Sequence, residues 1–320
     1  MSSRAQIGFL RDGRRLHLND GPIDLIVEAF GEDAAIAAAY EAATRRFVDV
    51  LDELCTELPR LRAQARPGAA WPAGKIARRM AAAVAPYSEG TFITPMAAVA
   101  GAVAEEILDA MTSAAPLNRA YVNDGGDIAL HLAEGEHFVV GMIERPDRPS
   151  LFGTATLDAS EPVRGVATSG WRGRSFSLGI ADAVTVLADR AAAADAAATI
   201  IANAVDLPGH PNIIRVPACS LAPDNDLGER LVTQGVGHLS EDEVCEALQA
   251  GVAVAGSLAF EGLICSAALH LRGETRVVNA ARLPENRRYS HSLVVPRNAR
   301  DEESAGLPAR TTADSSLRSE

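Results

Sequence analysis

The chain has 320 residues, 48% hydrophobic and 22% charged, values of a globular protein that exclude a wholly disordered, collagenous or fibrous chain. Its formal net charge of −12 repels phosphate backbones and anionic headgroups, so neither nucleic acid nor a membrane surface is an expected partner. The length allows two domains, but a single domain over 1–284 followed by a disordered tail over 285–320 is the expected division, because beyond Leu283 the composition turns to Arg, Asn, Ser, Glu and Pro.

Cys55, Cys219, Cys245 and Cys265 form no C-x-x-C pair and have no histidines at zinc-finger spacing, so they read as reduced, mostly buried thiols. The N-terminus lacks a charged and then apolar leader, and the apolar stretch Ala247 to Phe260 is too short for a membrane span. A cytoplasmic location is therefore expected. Lys75 is the only lysine and lies in no Gly-rich phosphate loop.

In chain order, Ala5 to Asn19 predicts a hairpin around Arg11-Asp12-Gly13, and a strand over Ile23 to Ala29 follows the break at Gly21-Pro22. The spacing of Ile36, Tyr40, Phe47, Leu51 and Leu54 predicts one long helix from Asp33 to about Leu61. After a loop over 62–74, Ala-rich helices are expected over 75–85 and 96–112. Short apolar runs then predict strands over Arg119–Asn123, Asp127–Ala133, His137–Ile143, Phe152–Leu157, Gly165–Thr168, Arg174–Leu178 and Ala183–Leu187. A helix over Ala191–Asn203 and a short strand over Ile213–Val216 follow, while 217–238 shows no clear period. Ser240-Glu241-Asp242-Glu243 is a capping box opening a helix to about Gly256. A hairpin over Gly262–Leu271 and Thr275–Asn279 closes the pattern, and Ser292 to Val295 could add an edge strand. Hairpins with intervening helices give an α+β chain with antiparallel sheet.

Three constellations could carry chemistry. In Asn123-Asp124-Gly125-Gly126-Asp127 two glycines interrupt paired strands, which allows positive φ or close approach of a ligand; an ordinary hairpin turn fits equally. Ala167-Thr168-Ser169-Gly170 ends a strand and precedes Arg172 and Arg174, groups that suit phosphate oxygens or a polar surface turn. Within Ala194-Asp195-Ala196-Ala197-Ala198-Thr199 a carboxylate and a hydroxyl four residues apart share a helix face. Such oxygen donors suit Mg2+, and they also suit a solvated surface. No G-x-S-x-G and no G-x-G-x-x-G between strand and helix is present, so a serine hydrolase or Rossmann dehydrogenase has no local support.

In their order and spacing these segments, with Thr94-Pro95-Met96-Ala97-Ala98-Val99-Ala100-Gly101, resemble the ApbE-like family of flavin transferases over roughly residues 90 to 205, closest to its shorter bacterial and archaeal branch. The resemblance implies a T-fold-like antiparallel sheet packed with helices, a flavin nucleotide as ligand (FAD or FMN), Mg2+, and an acceptor protein carrying the Thr or Ser to which FMN is attached. It implies that Asp195 and Thr199 ligate Mg2+, that Asn123, Gly125, Gly126 and Asp127 line the nucleotide site, and that Thr168, Ser169 and Gly170 contact the ligand. It assigns no catalytic residue here. The sequence departs from the transferases in lacking their His-containing segment before Val184-Thr185-Val186, and Ala100 replaces the lysine of their Ala-Lys-Gly motif. Two functions follow as alternatives: a Mg2+-dependent transferase or pyrophosphatase acting on FAD, and a non-transferase protein that binds a pterin- or purine-type ligand. A homo-oligomer is suggested by analogy with T-fold assemblies.

Overall fold

The structure is a computed structural model, described over residues 4–143 and 151–279. The expected tail over 285–320, with its edge strand at Ser292 to Val295, lies outside those residues. The chain opens with β1 (Gln6–Phe9), β2 (Leu16–Asp20) and β3 (Ile23–Phe30), paired as an antiparallel meander. Asp12 shapes the first turn by accepting the backbone N–H groups of Arg14 at 2.9 Å and Arg15 at 3.0 Å. Alternation then sets the faces: Leu16, Leu18, Leu25 and Val27 are buried toward the helices.

The expected single helix over Asp33 to Leu61 is three: α1 (Asp33–Phe47), α2 (Val50–Thr56) and α3 (Leu58–Leu61). Pro59 sits in the first turn of α3, where its missing N–H costs nothing, so it starts a helix that the sequence reading ended there. Phe47, Val50, Leu54 and Leu61 still enter the core, which is why the periodic pattern looked continuous. Next come α4 (Lys75–Val84) and a 3-10 turn at Pro95–Ala98, capped by Thr94 accepting from Met96, which leads into α5 (Val99–Ala114).

The remaining elements are β4 (Arg119–Asp124), β5 (Asp127–Leu132), β6 (His137–Ile143), β7 (Leu151–Asp158), β8 (Gly165–Ser169), β9 (Ala183–Ala188), α6 (Ala191–Ala204), β10 (Ile213–Pro217), α7 (Ala218–Leu221), β11 (Leu231–Val236), α8 (Glu241–Phe260), β12 (Ser266–Leu271) and β13 (Glu274–Asn279). Nine strands form one antiparallel sheet in the order β1-β2-β3-β4-β5-β8-β9-β12-β13. The helices α5, α6 and α8 pack on one face over the main core. The β6–β7 hairpin covers part of the other face, where Leu130, Leu157, Val166 and Leu187 form a smaller core. This is the expected α+β architecture of antiparallel sheet and helices.

Two segments differ from the sequence reading. Arg174 to Leu178 is not a strand: its backbone bonds outside any ladder, with Ser177 C=O accepting from Thr233 N–H and Leu178 N–H donating to the Asn203 side chain. The stretch without clear period contains α7 and β11, and β11 pairs with β10 across a register shift at Ile214/Arg215 that blurs the alternation. None of the four cysteines forms a disulfide, but Cys55 and Cys245 are exposed and the other two half-buried, so the buried-thiol expectation fails.

The capping box at Ser240 and Glu243 forms, and α8 runs past Gly256 to Phe260. At 20 residues it is the one helix among the described residues long and apolar enough to cross a membrane, longer than the apolar stretch alone suggested. It packs against α6, β12 and β13.

The α5–α6 contact is close because of Gly101. A Cβ there would lie 2.4 Å from the carbonyl oxygen of Ala191 and 2.7 Å from the nitrogen of Ala192, backbone atoms that cannot rotate away. One turn on, Glu105 accepts the Ala192 N–H at 2.8 Å and binds Arg190 and Arg79 at 2.8 and 2.9 Å, closing the first turn of α6. Gly101→Ala is expected to destabilise the protein by about 3 kcal/mol in urea unfolding, the upper part of the overpacking range. A variant with wild-type stability would show that the helices slide freely here.

Candidate functional site

The β4–β5 connection is a two-residue hairpin in which Asp124 and Asp127 are direct cross-strand partners. Both central residues have positive φ, Gly125 at +65° and Gly126 at +118°, and Asn123 Oδ1 accepts the Gly126 N–H at 2.8 Å. Turn geometry therefore accounts for the glycines. It does not account for the acids. Directly opposed like charges destabilise a strand pair, and alternation from Val122 and Ala129 turns both carboxyl groups toward the helices.

Asp195 faces them from α6. Its Oδ2 accepts the Gly101 N–H at 3.0 Å, so the same approach that requires glycine at 101 fixes this carboxyl group. The three acids sense one another. Burial pushes Asp124 up to about 7, opposed by the Arg174 guanidinium. Burial likewise raises Asp127, helped by the charge of Asp124 and opposed by the Thr168 N–H, which donates to Asp127 Oδ1 at 3.2 Å. Asp195 is held well above the ordinary carboxylate range, first by burial and then by the charge of Asp127. A cluster of acids raised by burial and by one another is a candidate functional site.

The sequence candidates thus divide. Asp127 and Asp195 come together beside the Gly125-Gly126 turn, with Asn123 holding that turn. Thr199, half-buried, follows Asp195 by one helical turn on α6. Thr168 offers its backbone N–H to Asp127, while its hydroxyl pairs with Thr185 Oγ1 at 2.9 Å. Ser169 is the half-buried last residue of β8. Gly170 serves a close approach, since a Cβ would lie 2.5 Å from the Asp182 carbonyl oxygen. Asp124 and Gly101 lay inside the candidate segments, but neither carried a role of its own there. Asp124 was within reach through strand alternation from Val122, whereas the Gly101 contact spans 94 residues and has no local signal. Lys75 is paired with Glu106 at 2.9 Å and Asp109 at 3.5 Å, away from these groups.

The donor set fits a hard divalent cation. Asp195 and Thr199 offer a carboxylate and a hydroxyl, and the neighbouring acids add negative charge that the Arg174 guanidinium and backbone N–H groups partly offset. Among the described residues no three His, Cys, Asp or Glu side chains are arranged to hold a metal by themselves.

A UPF0280 protein from Methanopyrus kandleri is 42% identical over 132 residues, which is 41% of this chain and 49% of the relative. Another from Methanocella arvoryzae is 37% identical over 139 residues, 41% of this chain and 50% of the relative. The chain thus spans about half the length of the curated relatives it matches. Among solved structures, the apo flavinyl transferase ApbE of Pseudomonas stutzeri aligns over 86% of this chain and 94% of its own, with 11% identity and a TM-score of 0.43. The flavin transferase ApbE of Vibrio cholerae aligns over 87% and 98%, with 12% identity and a TM-score of 0.35. The profile of the family described as AbpE bacteria matches residues 7–277, and the chain belongs to that family.

Proposed function

We propose that the chain binds a flavin nucleotide, FAD or FMN, together with Mg2+ at the Asp195 face and acts on the phosphate linkage of FAD. The observation that carries this reading is the grouping of buried Asp124 with half-buried Asp127 and Asp195 beside a glycine turn, where each raises the pKa of the next. Such an arrangement costs stability unless a cation neutralises it. Asp195 and Thr199 would hold the ion. When bound, Mg2+ would offset the charge that develops on the diphosphate as its bond breaks. The Gly101 N–H orients the Asp195 carboxylate, and the Thr168 N–H orients that of Asp127. In the transfer, an acceptor Thr or Ser hydroxyl attacks the FMN-side phosphorus, AMP leaves, and the hydroxyl proton passes to solvent. In the hydrolysis, water takes the place of the hydroxyl. FAD with Mg2+ should therefore release AMP, and chelation of the metal should stop it. No release from the wild type, with or without acceptor proteins, would remove this reading.

A second reading is favoured by the loop between Gly170 and Asp182. It is short and closed on itself: Asp182 accepts from Trp171 at 3.2 Å, from Arg172 at 2.6 Å and from the Arg272 N–H at 2.7 Å. It stands where the transferases carry their His-containing segment, so a protein that holds a flavin, pterin or purine ligand without transferring it also fits. Calorimetric titration with FAD, FMN and a pterin separates the readings, since ligand binding without AMP release supports the second.

A further inference from the structure

Two arginines follow the end of β8, and the structure gives them different roles. Arg172 donates to Asp182 at 2.6 Å, stacks 4.3 Å from the centroid of the Trp171 ring, and faces a carboxylate only 4% exposed, so its charge is already matched. Arg174 is not so committed. Its side chain is 63% exposed, and its ion pair with Asp124 is loose at 3.8 Å. The guanidinium rests directly on Gly125, filling the volume a side chain would take: a Cβ there would lie 1.8 Å from its Nη2.

A planar cation with five N–H donors therefore stands at the exposed edge of three acids. A neutral ring binding there would need no such group. An anionic ligand would, because the carboxylates repel it and a guanidinium presents two parallel donors to a phosphate. Moving the guanidinium off Gly125 breaks no hydrogen bond to Asp124, only an ion pair of 3.8 Å that is exposed on the arginine side. The Asp124 carboxyl group is buried, so the exchange requires the bound Mg2+ to take over the offset of its charge.

We propose that Arg174 recognises the phosphate of the ligand, leaving its seat on Gly125 and its pairing with Asp124 for phosphate oxygens. This rests on the flavin-nucleotide reading and narrows it: the ligand carries a phosphate monoester, as FMN does, or a diphosphate, as FAD does, and free riboflavin is the weaker ligand.

The experiment is calorimetric titration of the full chain, at saturating Mg2+, with riboflavin, FMN and inorganic pyrophosphate, for the wild type, Arg174→Gln and Arg174→Lys. The wild type should bind FMN roughly tenfold or more tighter than riboflavin, the value of one charged hydrogen-bond pair. Arg174→Gln should reduce FMN to the riboflavin level, and Arg174→Lys should recover part of the difference. An unchanged FMN-to-riboflavin ratio in Arg174→Gln, or equal binding of both by the wild type, overturns the assignment. Pyrophosphate keeps it distinct from the flavin reading: if no flavin binds but pyrophosphate does, and Arg174→Gln abolishes that, the arginine's role stands and the flavin reading falls. Binding of none of the three overturns both.

Discussion

Replacing Asp195 with asparagine is expected to abolish stabilisation by Mg2+ and the release of AMP from FAD, while leaving the metal-free protein at least as stable as the wild type. The two effects run in opposite directions because one carboxylate serves both. Asp195 is half-buried and feels the charge of Asp127, so its own charge opposes folding when no cation is bound. Asparagine keeps the shape, and its side-chain oxygen can still accept the Gly101 N–H that Asp195 Oδ2 accepts at 3.0 Å. What it cannot supply is the negative oxygen for a hard cation. At a Mg2+ concentration about 100 times its dissociation constant, the wild type should gain about 2.7 kcal/mol from mass action, and the variant nothing. Thermal unfolding with and without Mg2+ reads this directly. A full Mg2+ shift in Asp195→Asn would place the cation elsewhere; a variant that unfolds early without metal would show that the carboxylate supports the fold.

Much of this site could be read from the sequence because its parts are local. Gly125-Gly126 needs positive φ in a two-residue hairpin, and Asp195 and Thr199 share a face through helical periodicity alone. The α6 and α8 helices were legible for the same reason, one through alanine propensity and one through its capping box. What escaped was non-local. No nearby residue shows that α5 presents the Gly101 N–H to a side chain 94 positions away, or that Asp182 binds Arg172 and so separates it from Arg174. The turn at Val48 and Asp49, which divides α1 from α2, left the apolar spacing of Phe47, Val50 and Leu54 intact, so periodicity could not reveal it. Thr168 is non-local in the same way: it pairs across the sheet with Thr185 and their hydroxyls meet, a contact between residues 17 positions apart.

The same three acids give the metal-free protein an unusual pH response. A carboxyl group raised in the folded state binds its proton more tightly there than in the unfolded chain. Between the ordinary carboxylate value and about 7 the folded state therefore holds more protons, and stability falls as pH rises through that window. For Asp124 alone, a rise of roughly three pH units corresponds to on the order of 4 kcal/mol, fully lost above pH about 7. Asp127 and Asp195 act in the same direction. Acids held below their usual range, such as Asp158 and Glu243, lose their contribution only as pH falls through the lower carboxylate region, so they do not mask the trend from pH about 5 to 8. The melting temperature without metal should drop by on the order of 10 °C across that interval. Saturating Mg2+ should flatten or reverse the slope, because the ion binds the deprotonated acids and competes with their protons. Melting curves at pH 5, 6, 7 and 8, with Mg2+ and with a chelator, make the comparison. Parallel curves in the two conditions would mean that cation and protons do not compete for these carboxylates, and the ion would then have to bind away from Asp124, Asp127 and Asp195.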